Sequence, residues 1–176
     1  MQYRVNPRNG DRISALGLGC MRFPGTLGRP DPRHARQIIA RAVERGINYL
    51  DTAYLYPGNE ACVGAALEEL GLRDRVLIAT KLPHGSVRTA ADLDRIFDEQ
   101  LRRLRTDHVD YYLIHNVTSP SQWERLRELG VEGWVVRQRE AGRIRQIGFS
   151  YHGSEGDFPV VLGSYDWDFC QIQYNY

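Results

Sequence analysis

The sequence is short of cysteine, of long apolar runs and of net charge, and each shortage removes a class of function. Cys20, Cys62 and Cys170 are odd in number and far apart. That spacing suits neither a disulfide framework nor a metal cluster, so the expectation is no metal, a reducing cytoplasm, and thiols that act as small buried residues. No apolar run approaches the ~20 residues of a membrane span. Met1-Gln2-Tyr3-Arg4 lacks the apolar core of a signal peptide. The formal net charge is only +1, which gives no electrostatic case for nucleic acid or an anionic membrane. The many arginines alternate with Glu and Asp on helix-like stretches, the pattern of a solvated face.

What is present is a soluble globular chain. Its 176 residues, 42% of them hydrophobic, suffice for one domain with a substantial core. An opening hairpin is expected, with 2–4 and 13–15 flanking a turn at Asn9-Gly10. Strands are then expected at 15–19, 47–51, 76–81, 109–115, 144–150 and 169–174. Helices alternate with them. One starts at Asp31 and Pro32, as N-cap and first helical residue, and stops at Gly46. Others span 59–70, closed by Gly71, and 91–104. A region over 121–141 is split or kinked by Gly130, and a short helix covers 158–162.

This β-then-α alternation predicts a parallel sheet with right-handed crossovers. Its strands are too apolar on both faces for a half-exposed antiparallel sheet. A closed (β/α) barrel competes with an open doubly wound sheet. The early hairpin suits a plug under a barrel, whereas a complete barrel takes roughly 250 residues. Gly17-Leu18-Gly19-Cys20-Met21-Arg22 fails as a dinucleotide fingerprint, because Arg22 replaces the third glycine. Gly17 and Gly19 then read as points of close backbone approach.

Three polar residues sit where apolar strands run out: Asp51, Lys81 and His115. In parallel α/β folds that end of the sheet carries the chemistry. Tyr56 lies five residues past Asp51 and can reach the same spot. Taken singly, Asp51 could cap a loop, Lys81 could snorkel into water, His115 could be a satisfied core histidine, and Tyr56 is one of ten tyrosines. Together, an acid, an amine, an imidazole and a phenol make a proton-transfer site. Tyr54, three residues from Asp51, is the rival phenol and is expected to be pocket wall.

The stretch from Gly46 to Glu60, with Asp51-Thr52-Ala53, Tyr56 and Glu60 at fixed distances, closely resembles the signature of the aldo-keto reductases. Ile78-Ala79-Thr80-Lys81, the run from Asp107 to His115, the run from Gly142 to Ser150, and Gln171-Ile172-Gln173-Tyr174-Asn175 agree in order and spacing. The resemblance covers essentially the whole chain. It implies a (β/α)8 TIM-type barrel, here incomplete at about six of eight units, with residues 1–176 a C-terminally truncated barrel domain. It also implies an enzyme, an NADPH- or NADH-dependent oxidoreductase that reduces a small-molecule aldehyde or ketone. On that resemblance Tyr56 is the general acid, Lys81 lowers its pKa, Asp51 holds Lys81, and His115 orients the carbonyl. Ser150 and Gln171 would meet the nicotinamide carboxamide, and Cys20, Met21 and Arg22 would lie near its ribose.

Two departures from the family pattern stand out. His115-Asn116-Val117 replaces the commoner His-Trp-Pro, and Ser150-Tyr151-His152 replaces the usual Ser-Asn, which removes one carboxamide partner. Together with the opening from Ala15 to Pro24, the second resembles a subgroup with a C-terminal iron–sulfur domain, of which no cysteine run appears here. The alternative from another class is a non-enzymatic remnant, or a binding and assembly subunit that self-associates through an open barrel edge.

Overall fold

The computed structural model describes residues 1–26 and 28–174, so the Asn175 that closes the last family-like motif lies outside the described residues. The chain opens with β1 (Tyr3–Val5) and β2 (Arg12–Ser14), paired antiparallel. The connection is a broad loop rather than a tight turn, closed by Asn6 N–H on the Asp11 carbonyl at 2.8 Å, with Gly10 at φ +78°. β3 is only Leu18–Gly19, shorter than expected. The reason is local: Ala15 N–H bonds the Gln2 carbonyl at 2.8 Å and so extends the hairpin instead. A second small antiparallel pair, β4 (Gly25–Thr26) and β5 (Arg29–Pro30), has no counterpart in the sequence-based expectation.

Helix α1 (Pro32–Glu44) starts where its cap predicts. The Asp31 carboxylate accepts from the Arg33 and His34 backbone N–H groups at 2.8 and 3.1 Å. After β6 (Tyr49–Asp51), α2 (Asn59–Leu70) is bracketed by Gly58 and Gly71, both left-handed. β7 (Leu77–Leu82) leads to α3 (Ala90–Leu104), whose first turn is tied by Asp92 accepting from Thr89 N–H at 2.9 Å. β8 (Val109–Val117) leads to α4 (Pro120–Glu128) and α5 (Val131–Glu140), divided at Gly130 with φ +81°. β9 (Ile144–Tyr151), α6 (Phe158–Gly163) and β10 (Phe169–Ile172) complete the described elements. No helix among them is long and apolar enough to cross a membrane.

The main sheet is parallel, in the order β10-β9-β8-β7-β6-β3. Spatial order follows chain order with no reversal, which excludes the doubly wound alternative, since that fold reverses at a switch point. The result is a curled, six-stranded part of a (β/α)8 barrel. Alternation along the strands separates two apolar layers. Ala79, Tyr111 and Leu113, with Tyr49, Leu77, Phe169 and Ile13, fill the inner face. A larger cluster between sheet and helices includes Leu50, Ile78, Leu82, Phe97, Ile114, Trp134 and Phe149. The hairpin does plug the lower end: the Tyr111 hydroxyl donates to Asp11 at 2.8 Å and accepts from the Asn6 amide at 3.2 Å.

Of the two early glycines, Gly17 is a close approach, since a Cβ there would lie 3.2 Å from the Tyr49 ring, while Gly19 faces open space. The tightest helix contact is at Gly64 of α2, where a Cβ would lie 2.5 Å from the Arg103 carbonyl oxygen of α3. Gly64→Ala should therefore lower the Tm, by an overpacking cost of about 1–3 kcal/mol. Gly133 of α5 is exposed, with its nearest contact at 3.8 Å, the end of the flexible Arg137 side chain. Gly133→Ala should raise stability by up to ~1 kcal/mol through helix propensity. Thermal melts of the two variants would check the opposite signs.

Candidate active site

Asp51, Lys81 and His115 occupy neighbouring strands with matched parity. Asp51 pairs with Ala79, and Lys81 with Leu113, in the same inward-facing rows as the inner apolar cluster. All three therefore point into the barrel mouth at the C-terminal end of the sheet. Lys81 is the one lysine among the 23 Lys and Arg residues and is only 1% exposed. A buried ammonium needs a counter-charge and a partner for every N–H. Lys81 Nζ has both: Asp51 Oδ1 and Oδ2 at 2.7 and 2.8 Å, and the Thr52 carbonyl at 2.7 Å. Burial holds its pKa below the ordinary lysine value, and the charge and hydrogen bonding of Asp51 offset this only in part.

Tyr56 hangs over this pair from the loop between β6 and α2. Its ring centroid is 5.3 Å from Lys81 Nζ, and it meets the His115 ring edge-on at 5.8 Å and 85°. The expected lowering of the phenol pKa by Lys81 is not found. Burial raises it, with the Asp51 charge and Cys20 adding to the rise. Tyr56 thus stays a protonated donor at neutral pH. Tyr54 is not pocket wall: the Arg103 guanidinium of α3 lies 4.4 Å from its ring centroid, and the ring packs against the helix-side core.

His115 stands beside a bulge. The β8–β9 register shifts between Ile114 and Val117, and Asn116 takes a left-handed φ of +57°. Asparagine tolerates that conformation better than most residues, and bulges re-aim the side chains beside them. Asn116 N–H donates to Ser150 Oγ at 2.7 Å, which locks the bulge to β9. The half-buried imidazole has an unpartnered Nδ1 and a pKa pushed down to about 4, first by burial and then by Lys81, His152 and His84. His84, three residues past Lys81, escaped notice in the sequence. Its proximity to His115 arises from the loop after β7, which Arg125 of α4 ties by a 2.7 Å bond to the Val87 carbonyl and by a bond to the His84 carbonyl.

Ser150 and Gln171 are register partners on β9 and β10, with Ser150 buried and Gln171 exposed. A cavity of about 490 Å³ opens beside them, lined by Tyr151, His152, Glu155, Phe158, Ile172 and Gln173. Met21 and Arg22 are exposed in a turn at the end of β3. Cys20 is fully buried, its thiol held well above the usual range by burial, so it offers no exposed atom to a ligand. Among the described residues, no group of three or more His, Cys, Asp or Glu could hold a metal ion.

The His115 shift sets a pH dependence. The folded protein binds this proton only near pH 4, whereas an unfolded histidine binds it near 6.5. Between those values the unfolded state holds more protons, so this group removes stability as pH falls from about 6.5 to about 4 and has no further effect above that window. An NMR titration of the His115 C2–H signal should show a midpoint near 4. A midpoint near 6.5 would contradict the buried, cation-flanked environment.

The model of the Aldo/keto reductase family matches residues 15–176. Aldo-keto reductase YhdN of Bacillus subtilis (strain 168) is 33% identical over 160 residues, covering 85% of this chain and 47% of that protein. A Schizosaccharomyces pombe relative, aldo-keto reductase yakc, whose name specifies NADP(+), is 26% identical over 151 residues, covering 80% of this chain and 43% of its own length. The holo-form structure of aldo-keto reductase AKR11C1 from Bacillus halodurans superposes with a TM-score of 0.80 at 31% identity, over 99% of this chain and 58% of that one. The chain spans about half the length of the curated relatives it matches.

Proposed function

This chain belongs to the aldo/keto reductase family, and from that premise we propose that it carries the catalytic side chains of an NADP(H)-dependent reductase of small aldehydes or ketones. The observation that supports this most directly is the Lys81–Asp51 ion pair beneath Tyr56, with His115 against the same ring. Nicotinamide, when bound, supplies a hydride to the carbonyl carbon. The Tyr56 hydroxyl gives its proton to the carbonyl oxygen. Its raised pKa keeps that proton in place until the oxygen becomes basic. As phenolate forms, the Lys81 ammonium favours it electrostatically. Asp51 and the Thr52 carbonyl keep that ammonium charged and fixed. The neutral His115 ring offers an N–H to the carbonyl oxygen and orients it.

The chemistry of the donors suits the nicotinamide end of the cofactor. The Ser150 hydroxyl accepts from Asn116 N–H and retains its own proton to donate, and the Gln171 amide can both donate and accept. A hydroxyl and an amide side by side match a carboxamide. Met21 and Arg22, exposed at the end of β3, are suited to contact the ribose side. Tyr56→Phe keeps the ring and removes the acid. It should lower carbonyl reduction by about 10²–10⁴-fold and leave nicotinamide cofactor affinity nearly unchanged. Steady-state kinetics and a fluorescence titration would measure both, and near wild-type turnover would reject Tyr56 as the donor.

A second reading, assembly through the sheet edges, is favoured by one feature. Among the described residues β3 and β10 each have one strand neighbour, and Ile172 on β10 is 48% exposed. Unpaired apolar edges associate. Size-exclusion chromatography of the 176-residue chain should show species larger than its 20.2 kDa mass, and a clean monomer would reject this reading.

A further inference from the structure

On the face of β7 opposite Lys81 lies a buried polar cluster in which the proposed chemistry uses no member. Glu60, in the first turn of α2, is 1% exposed, and Thr80, Gln100 and Tyr112 are fully buried. The Thr80 hydroxyl donates to Glu60 Oε1 at 2.7 Å. The Gln100 amide nitrogen, from α3, reaches Glu60 Oε1 at 2.8 Å and both Thr80 Oγ1 and the Lys81 carbonyl at 3.1 Å. The Tyr112 hydroxyl of β8 donates to Gln100 Oε1 at 2.7 Å. Arg103 closes the set by donating to Glu60 Oε2 at 3.3 Å while stacking on Tyr54.

The topology gives this cluster a purpose. The loop of residues 52–58 bears Tyr56 and runs from the end of β6 to the start of α2. At its first end Asp51 is bound to Lys81 on the inner face of β7. Just past its second end Glu60 is bound to Thr80, the preceding residue, on the outer face. The loop is clipped around one strand end from both sides, and Gln100 ties the outer clip to the Lys81 backbone. We propose that Glu60 and Gln100 are positioning residues that hold the Tyr56 loop, so that the phenol stays over Lys81 and edge-on to His115. A buried polar network fully satisfied in this way fixes one arrangement, because every alternative leaves a buried group unpaired.

The catalytic consequence rests on the proposed role of Tyr56, but the positioning itself does not, and the test separates them. The Tyr56 ring shifts the His115 C2–H NMR signal by its ring current. The signal is assigned with His115→Asn, and Tyr56→Ala defines its position without the ring. In the intact protein, Gln100→Leu should move the signal at least halfway to the Tyr56→Ala position. Thr80→Val should do the same and serves if Gln100→Leu does not fold. Glu60→Gln, which keeps an acceptor for Thr80, should stay near wild type. Asp94→Ala, which removes the partner of Trp134 and Gln138 elsewhere on α3, controls for general loss of stability. With the clip opened, kcat should fall about 10- to 100-fold with KM within about twofold, since small misplacements of a reacting group cost that much. An unmoved His115 signal in a folded clip variant, or an equal movement in Asp94→Ala, would overturn the inference. A moved signal with unchanged kcat would leave the clip standing and overturn the assignment of Tyr56.

Discussion

The burial of one ammonium group organises this end of the molecule. Lys81 is 1% exposed, and a cation so placed persists only if its charge and all its protons are satisfied. Meeting that need takes both oxygens of Asp51 on β6 and the carbonyl of Thr52 just beyond it. The ion pair therefore sets how β6 ends against β7 and where the following loop departs. Tyr56 sits where it does because that departure is fixed. The low pKa of His115 comes first from its burial and then from the same ammonium.

One of the two described non-glycine residues with positive φ lies at the site. Asn116 and Arg105 are the described non-glycine residues with positive φ, and they have different jobs. Arg105 closes a helix, while Asn116 makes the bulge that follows His115. The bonded Ser150 hydroxyl supports the bulge from the next strand, so the proposed carbonyl-orienting residue and a proposed carboxamide contact share one hydrogen bond. Substitutions at Asn116 and Ser150 should not be independent for that reason.

Much of the architecture was legible because it rests on local rules. Asp31 with Pro32 marks the start of α1, Gly71 ends α2, and Gly130 divides α4 from α5, each through backbone geometry that neighbouring residues alone dictate. Strand-end placement of Asp51, Lys81 and His115 was legible for a similar reason. Apolar runs show where strands stop, and a parallel sheet gathers those ends on one face.

Other features depended on partners distant in sequence. Strand order, which separates a barrel from a doubly wound sheet, is a matter of long-range pairing that periodicity does not encode. The use of all three Lys81 donors requires the Thr52 carbonyl just beyond β6, and the raised phenol pKa follows first from burial of Tyr56 in the assembled fold. Tyr54 turned toward Arg103 because packing against α3 left it a better partner there. Glu60, Thr80, Gln100 and Tyr112 are spread over 53 positions of sequence, and only the stacking of α2 and α3 on β7 and β8 makes them one cluster. The sequence alone carries capping, turn and periodicity signals, which act within a few residues. The satisfaction of buried charge and buried hydrogen bonds is a property of the assembled fold.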